Sequence, residues 1–152
     1  MDNDANAVLY QVAAMTYGEM GSKDEAHWDM AASSYFNSVG QGEWKDLTSQ
    51  ELLNQRYYAV SKQNDPYTWA MDKKFPNVRE EHTFKKILSR VSAMARGTIP
   101  KLDNQFYFTK GEITRQTKDK SFNFDLVEST GKTGRFFMFR YKKPKPEGQK
   151  EK

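Results

Sequence analysis

One carboxylate stands out among the residues that could do chemistry. Glu19 lies in Tyr17-Gly18-Glu19-Met20-Gly21, where an apolar-periodic segment gives way to glycine. A carboxylate at the C-terminal end of a helix faces the negative end of the helix dipole. Tyr17, Met20 and Trp28 are its bulky neighbours in the reading. Both effects disfavour ionisation and raise a carboxyl pKa, which is what a general acid needs near neutral pH. The competing reading of the same residues is an ordinary solvated Glu in a loop between helices. Ser22-Lys23-Asp24-Glu25 has the form of a capping box, which already accounts for Glu25. Asp24 and Asp29 are the nearest other carboxylates, and they read as helix N-terminal charge and exposed face.

Other chemistries lack their residues. The chain has no Cys, hence no disulfide, no thiol nucleophile and no thiolate metal site. Its two histidines, His27 and His82, are far apart and in no HExxH-like pattern. Each is expected on the exposed side of a helix. No metal and no cofactor is expected. There is no G-x-S-x-G and no Gly-rich phosphate loop, so carboxylate chemistry is what remains.

The elements that must position Glu19 can be read from periodicity. Val8, Leu9, Val12 and Met15 give a helix from Asn6 to about Tyr17. Trp28, Ala32, Tyr35, Phe36 and Val39 line a second helix, ending at Gly40. Thr48-Ser49-Gln50-Glu51 is a capping box opening a helix with Leu52, Leu53, Tyr57 and Val60 inward. Residues 61–76 read as a loop. Asn77 caps a long helix from Val78 to Arg96, with Phe84, Ile87, Leu88, Val91 and Ala95 as its stripe and Gly97 and Pro100 as its stop. The pattern then changes to strands at 105–109, around Phe122-Leu126 and at 135–141, the last two joined through Gly131–Gly134. Helices followed by strands without βαβ alternation predict an α+β fold, mostly helical in the N-terminal two-thirds, with a small antiparallel sheet near the C-terminus.

The 152 residues carry 24 Lys and Arg against 20 Asp and Glu, a formal charge of +4. Three of those charges belong to residues 142–152, which hold five Lys and two Glu. The rest is nearly neutral, with no Arg-rich recognition helix, so no nucleic-acid partner is expected. The reading is one domain over 1–141 and a basic, disordered tail over 142–152, punctuated by Pro144, Pro146 and Gly148. Attachment to a polyanionic surface is the functional alternative for that tail. No stretch approaches the ~20 apolar residues of a membrane span. With the acidic start Met1-Asp2-Asn3-Asp4, no secretory signal is expected. A monomer is expected.

Several segments resemble one family in the right order over roughly residues 7–140. Tyr17-Gly18-Glu19-Met20-Gly21, followed by Asn37-Ser38-Val39, is similar to the Y-G-E-A-R-G … N-R-V pattern of the SleB/CwlJ cell-wall hydrolases, the spore-cortex-lytic enzymes and their phage relatives. Gln55 to Val60 is similar to that family's Q-F-S segment. Gly97 to Pro100 with Phe106-Tyr107-Phe108 resembles its G-x-x-P … A-x-Y-F segment, and Lys132 to Phe137 its closing strand. The Arg and second Glu that follow the family's Y-G-E have no counterpart here.

The resemblance implies a lysozyme-like, lytic-transglycosylase-type domain acting on the glycan strands of peptidoglycan, with Glu19 as the catalytic carboxyl. It implies a muralytic enzyme working at the bacterial cell wall, virion-associated or released at host lysis. A single carboxyl suffices for a transglycosylase, whereas ordinary hydrolysis needs a second one. Tyr57, Tyr58, Trp69 and Tyr107 are then candidate sugar platforms, with core packing as the competing reading of aromatic rings. Gln55 and Asn104 are candidates for binding N-acetyl groups. Two alternatives stand beside this reading: an endopeptidase cutting the stem peptide, and a non-enzymatic wall-binding or virion protein.

Overall fold

The computed structural model describes residues 2–143. The expected disordered tail lies almost wholly outside them. The first helix, α1 (Asp2–Met20), is longer than its apolar spacing indicates. Val12, Ala13, Ala14, Met15 and Thr16 are all fully buried. A helix covered on every side belongs in the middle of a core, and α1 packs against four other helices and the neighbouring α3 (Ser49–Arg56). The four are α2 (Glu25–Phe36), α4 (Tyr58–Ser61), α5 (Asp65–Asp72) and α6 (Val78–Ala95). Helix α3 leads into α4 through Tyr57.

Caps set most of these boundaries. Thr48 and Glu51 form the reciprocal capping box read from the sequence, and the Asn77 side chain accepts from the Glu80 N–H at the start of α6. At α2 the cap is Asp24, which accepts from the His27 N–H, and not Ser22 as expected. The loop expected over 61–76 contains α5, capped by Asn64 with a proline in its first turn.

The C-terminal part is a three-stranded antiparallel sheet in the order β1-β3-β2, which gives an α+β fold. The strands are β1 (Phe106–Thr109), β2 (Val127–Thr133) and β3 (Phe136–Tyr141). The last strand lies in the middle, with Tyr107 opposite Met138. A helix absent from the sequence reading, α7 (Lys110–Asp119), separates β1 from β2. The Phe122–Leu126 alternation is no strand. It ends in a 3-10 turn at Phe124–Leu126, where Phe108, Phe122, Phe124 and Phe139 pack edge to face or tilted. Ring packing, rather than a pleat, sets that spacing.

Two charged side chains expected to be exposed are engaged instead. Asp29 receives a bidentate pair from Arg90, at 2.6 and 2.9 Å, joining α2 to α6. His27 has a side chain only 13% exposed, with Nδ1 2.7 Å from Asp24 Oδ1. The β2–β3 turn rests on it: Gly134 has φ +57°, and a Cβ there would come 2.6 Å from His27 Nε2. His82 is exposed as expected. Among the described residues, no helix is long and apolar enough to cross a membrane.

Candidate active site

Glu19 sits on the last turn of α1, one residue before its end, so it belongs to the helix and not to the following loop. The turn is locked from two sides. The Trp28 indole N–H donates to the Met20 carbonyl at 3.0 Å, and the Asn64 amide donates to the Gly18 carbonyl at 2.9 Å. Gly18 is required for this approach, since a Cβ there would come within 2.6 Å of Ala59 Cβ and 2.9 Å of Asn64 Oδ1. Contact at that distance brings α4 close enough for its backbone to reach the acid.

Each oxygen of the Glu19 carboxyl has its own donor. The Ala59 backbone N–H donates to Oε2 at 2.9 Å, and the Tyr107 hydroxyl donates to Oε1 at 2.9 Å. Burial raises the Glu19 carboxyl above its ordinary value of 4.5. The two donors pull it part of the way back, and the negative charge of Glu112 pushes it up again. Burial first, and the Glu19 charge second, hold the Tyr107 phenol well above its ordinary 10.0, so it remains a donor at neutral pH.

Tyr107 is held by a network anchored on α2. Asn37, at the end of α2, donates its amide to the carbonyls of Leu102 and Asn104 at 2.7 and 2.9 Å. Gln105 donates back to the Asn37 carbonyl. Arg56 bonds the Ser38 hydroxyl at 2.7 Å and the Gln105 carbonyl at 2.6 Å, with its guanidinium over the Trp44 and Phe106 rings. These bonds fix the chain just before β1, and so the height at which Tyr107 meets Glu19. The Asn37-Ser38 segment thus acts on the site through backbone placement.

Glu19 borders two clefts. The first, about 440 Å³, is lined by Arg56, Tyr58, Tyr107, Phe108, Glu112 and Phe136 among others. The second, about 520 Å³, is lined by Tyr17, Lys23, Trp28, Trp69, Arg79 and Glu80 among others. Gly18 and Glu19 are the residues common to both. A proton donor at that junction can reach a chain-like ligand lying through either cleft.

The predicted binding residues divide. Tyr107 meets Glu19 directly. Tyr58, 68% exposed, stands at the rim of the first cleft, and Trp69 is half-buried in the second. Tyr57 is corrected: it borders the first cleft but is only 3% exposed, with its hydroxyl 2.6 Å from the Ser34 hydroxyl, so its ring serves the core and not a ligand face. Asn104 is corrected too. It is fully buried and gives its amide to the Met30 carbonyl at 3.1 Å, out of reach of any ligand. Gln55 is exposed and lines neither cleft. Glu112 was missed, although Thr109 and Glu112 have capping-box spacing in the sequence. Among the described residues, no group of three or more His, Asp or Glu is placed to hold a metal ion.

No family model matches the chain, and neither a curated protein nor a solved structure does.

Proposed function

We propose that the protein is a peptidoglycan-degrading enzyme that cleaves the glycan strand between MurNAc and GlcNAc by a lytic-transglycosylase-type mechanism. The observation that carries this reading is the Glu19 carboxyl: shifted toward its acid form by burial, fixed by two donors, and at the junction of two open clefts. The order of short motifs shared with the spore-cortex-lytic hydrolases supports it, as do the ring surfaces of Tyr58 and Trp69 on either side of the acid.

In this mechanism Glu19 gives its proton to the glycosidic oxygen as the C1–O bond breaks and oxocarbenium character develops at C1. The oxygen leaves as the GlcNAc 4-hydroxyl. The Glu19 carboxylate, stabilised for that moment by the Ala59 N–H and Tyr107 O–H, takes the proton from the muramyl 6-hydroxyl. O6 bonds to C1 and closes the anhydro ring, and Glu19 ends protonated as it began. The two donors stabilise the carboxylate form, and burial favours the acid form. An acid that must alternate between the two benefits from that balance.

The test is digestion of purified peptidoglycan with product masses. Anhydromuramyl ends are expected from the wild type, and a Glu19→Gln variant is expected to bind wall while losing about 100-fold or more in rate. New stem-peptide amines would instead mark an endopeptidase. No release from a folded wild-type protein would mark a wall-binding protein without this activity.

A further inference from the structure

Helix α7 presents a puzzle: none of its ten residues is buried. A helix without an apolar face contributes little to a core. It is nonetheless closely capped. Thr109 and Glu112 exchange hydrogen bonds, Glu112 Oε1 accepting from the Thr109 N–H at 2.7 Å and Thr109 Oγ1 accepting from the Glu112 N–H at 3.2 Å. Thr109 ends β1, two residues after Tyr107. The first turn of α7 is therefore tied rigidly to the strand that holds Glu19.

That turn places one carboxylate in the first cleft. Glu112 is half-buried and lines the cleft with Glu19 and Tyr107. Its Oε1 is occupied by the cap, whereas Oε2 has no hydrogen-bond partner and no cation within 4.0 Å among the described residues. The other ionisable groups lining this cleft are Tyr107 on β1, Tyr57 after α3, Tyr58 at the start of α4, and Arg56 on α3, whose guanidinium is held by Ser38 and Gln105. Among the described residues, Glu112 is thus the one carboxyl lining this cleft besides Glu19 itself.

The geometry points to Glu112 as a second catalytic carboxylate, a group facing the sugar ring whose charge stabilises the positive centre that forms at C1. This rests on the glycan-cleaving reading above and adds a residue to it. Glu112 forms no bond in the step and moves no proton. The C1–O bond still breaks toward the oxygen protonated by Glu19, and O6 still closes the ring. A fixed anion beside a developing cation acts without reorganising during the reaction. Its proximity also accounts for part of the upward shift at Glu19, so one charge both helps the acid keep its proton and stabilises the centre that proton creates.

The discriminating variant is Glu112→Gln. A glutamine keeps the capping-box bond to the Thr109 N–H, so the fold and thermal midpoint are expected to stay as in the wild type. On purified glycan strands kcat is expected to fall on the order of 100-fold, with KM within about threefold. Loss of the like charge also lowers the Glu19 midpoint, so the alkaline limb of the rate profile moves to lower pH. A carbon-13 titration of the Glu19 carboxyl reads the same shift without turnover. A kcat within about threefold of wild type and an unmoved Glu19 midpoint would overturn the proposal. The two readings separate cleanly. If Glu19→Gln is dead while Glu112→Gln is fully active, only Glu112 loses its role. If the wild type cuts no glycan, the glycan-cleaving function falls and this inference with it.

Discussion

The Tyr107 hydroxyl donates to Glu19 Oε1 across 2.9 Å of space and 88 residues of chain. Removing it by Tyr107→Phe takes away a donor that favours the ionised carboxyl. Glu19 then holds its proton to higher pH, and the alkaline limb of the rate profile moves up. This direction is opposite to that expected for Glu112→Gln. The stability loss is expected near 1 kcal/mol, the usual worth of one hydrogen bond, and a denaturant midpoint with unchanged slope measures it.

Glu19 also leaves a signature in stability against pH. Its folded pKa lies above the ordinary 4.5, so the folded protein binds this proton more tightly than the unfolded chain. The stability from that preference is complete below about pH 4.5 and is lost as pH rises through the folded value. Glu19→Gln removes the titration. The variant is expected to match the wild type in acid and to gain on it toward neutral pH, measured as thermal midpoints along a pH series. A constant difference at all pH values would contradict the raised carboxyl.

Gly18→Ala tests the approach of α4 to α1. The new methyl would meet Ala59 Cβ at 2.6 Å and Asn64 Oδ1 at 2.9 Å, both on ordered elements. Overpacking of this kind costs about 1–3 kcal/mol. The same displacement draws the Ala59 N–H away from Glu19, so activity measured well below the melting range is expected to fall as well.

Trp69 and Asn104 were both sequence candidates for binding, and they should behave differently. Trp69→Ala removes a half-buried ring from the second cleft and is expected to raise KM about 3- to 10-fold, in line with ~0.5–1.5 kcal/mol for a ring contact. Asn104→Ala leaves the Met30 carbonyl without its donor inside the core. It is expected to cost about 1–3 kcal/mol of stability with KM unchanged. Kinetics and thermal melts on the same preparations distinguish the two.

How much was legible follows from how each element is stabilised. Helix α6 carries an asparagine cap, a regular buried stripe of Phe84, Ile87, Val91 and Met94, and a glycine stop at φ +78°. Sequence periodicity sees such a helix directly. Helix α7 has no fully buried residue, so it leaves no clear stripe; only the Thr109–Glu112 spacing announced it. Helix α5 is short, and its Asn64-Asp65-Pro66 start was outweighed by the prolines around it. Glu19 could be singled out because its own neighbours make it unusual. Its partners could not, because Ala59 contributes a backbone N–H and Tyr107 comes from a distant strand. Asn104 was misread because a buried amide has the same composition as an exposed one, whereas Tyr57 had two readings, inward by helix periodicity and a platform by ring type, and burial favours the first.

The strand order has a consequence for when the acid comes into being. Strand β1, which carries Tyr107, takes its sheet pairing from β3, and the Gln105 N–H just before it also bonds the Phe139 carbonyl. A nascent chain on the ribosome that has not yet released residues 136–141 therefore has α1 and Glu19 but no anchored Tyr107. The Glu19–Tyr107 pair is thus complete only after the sheet's central strand has been added. A chain that stops before residue 136 keeps Glu19 but lacks the strand that fixes its Tyr107 donor.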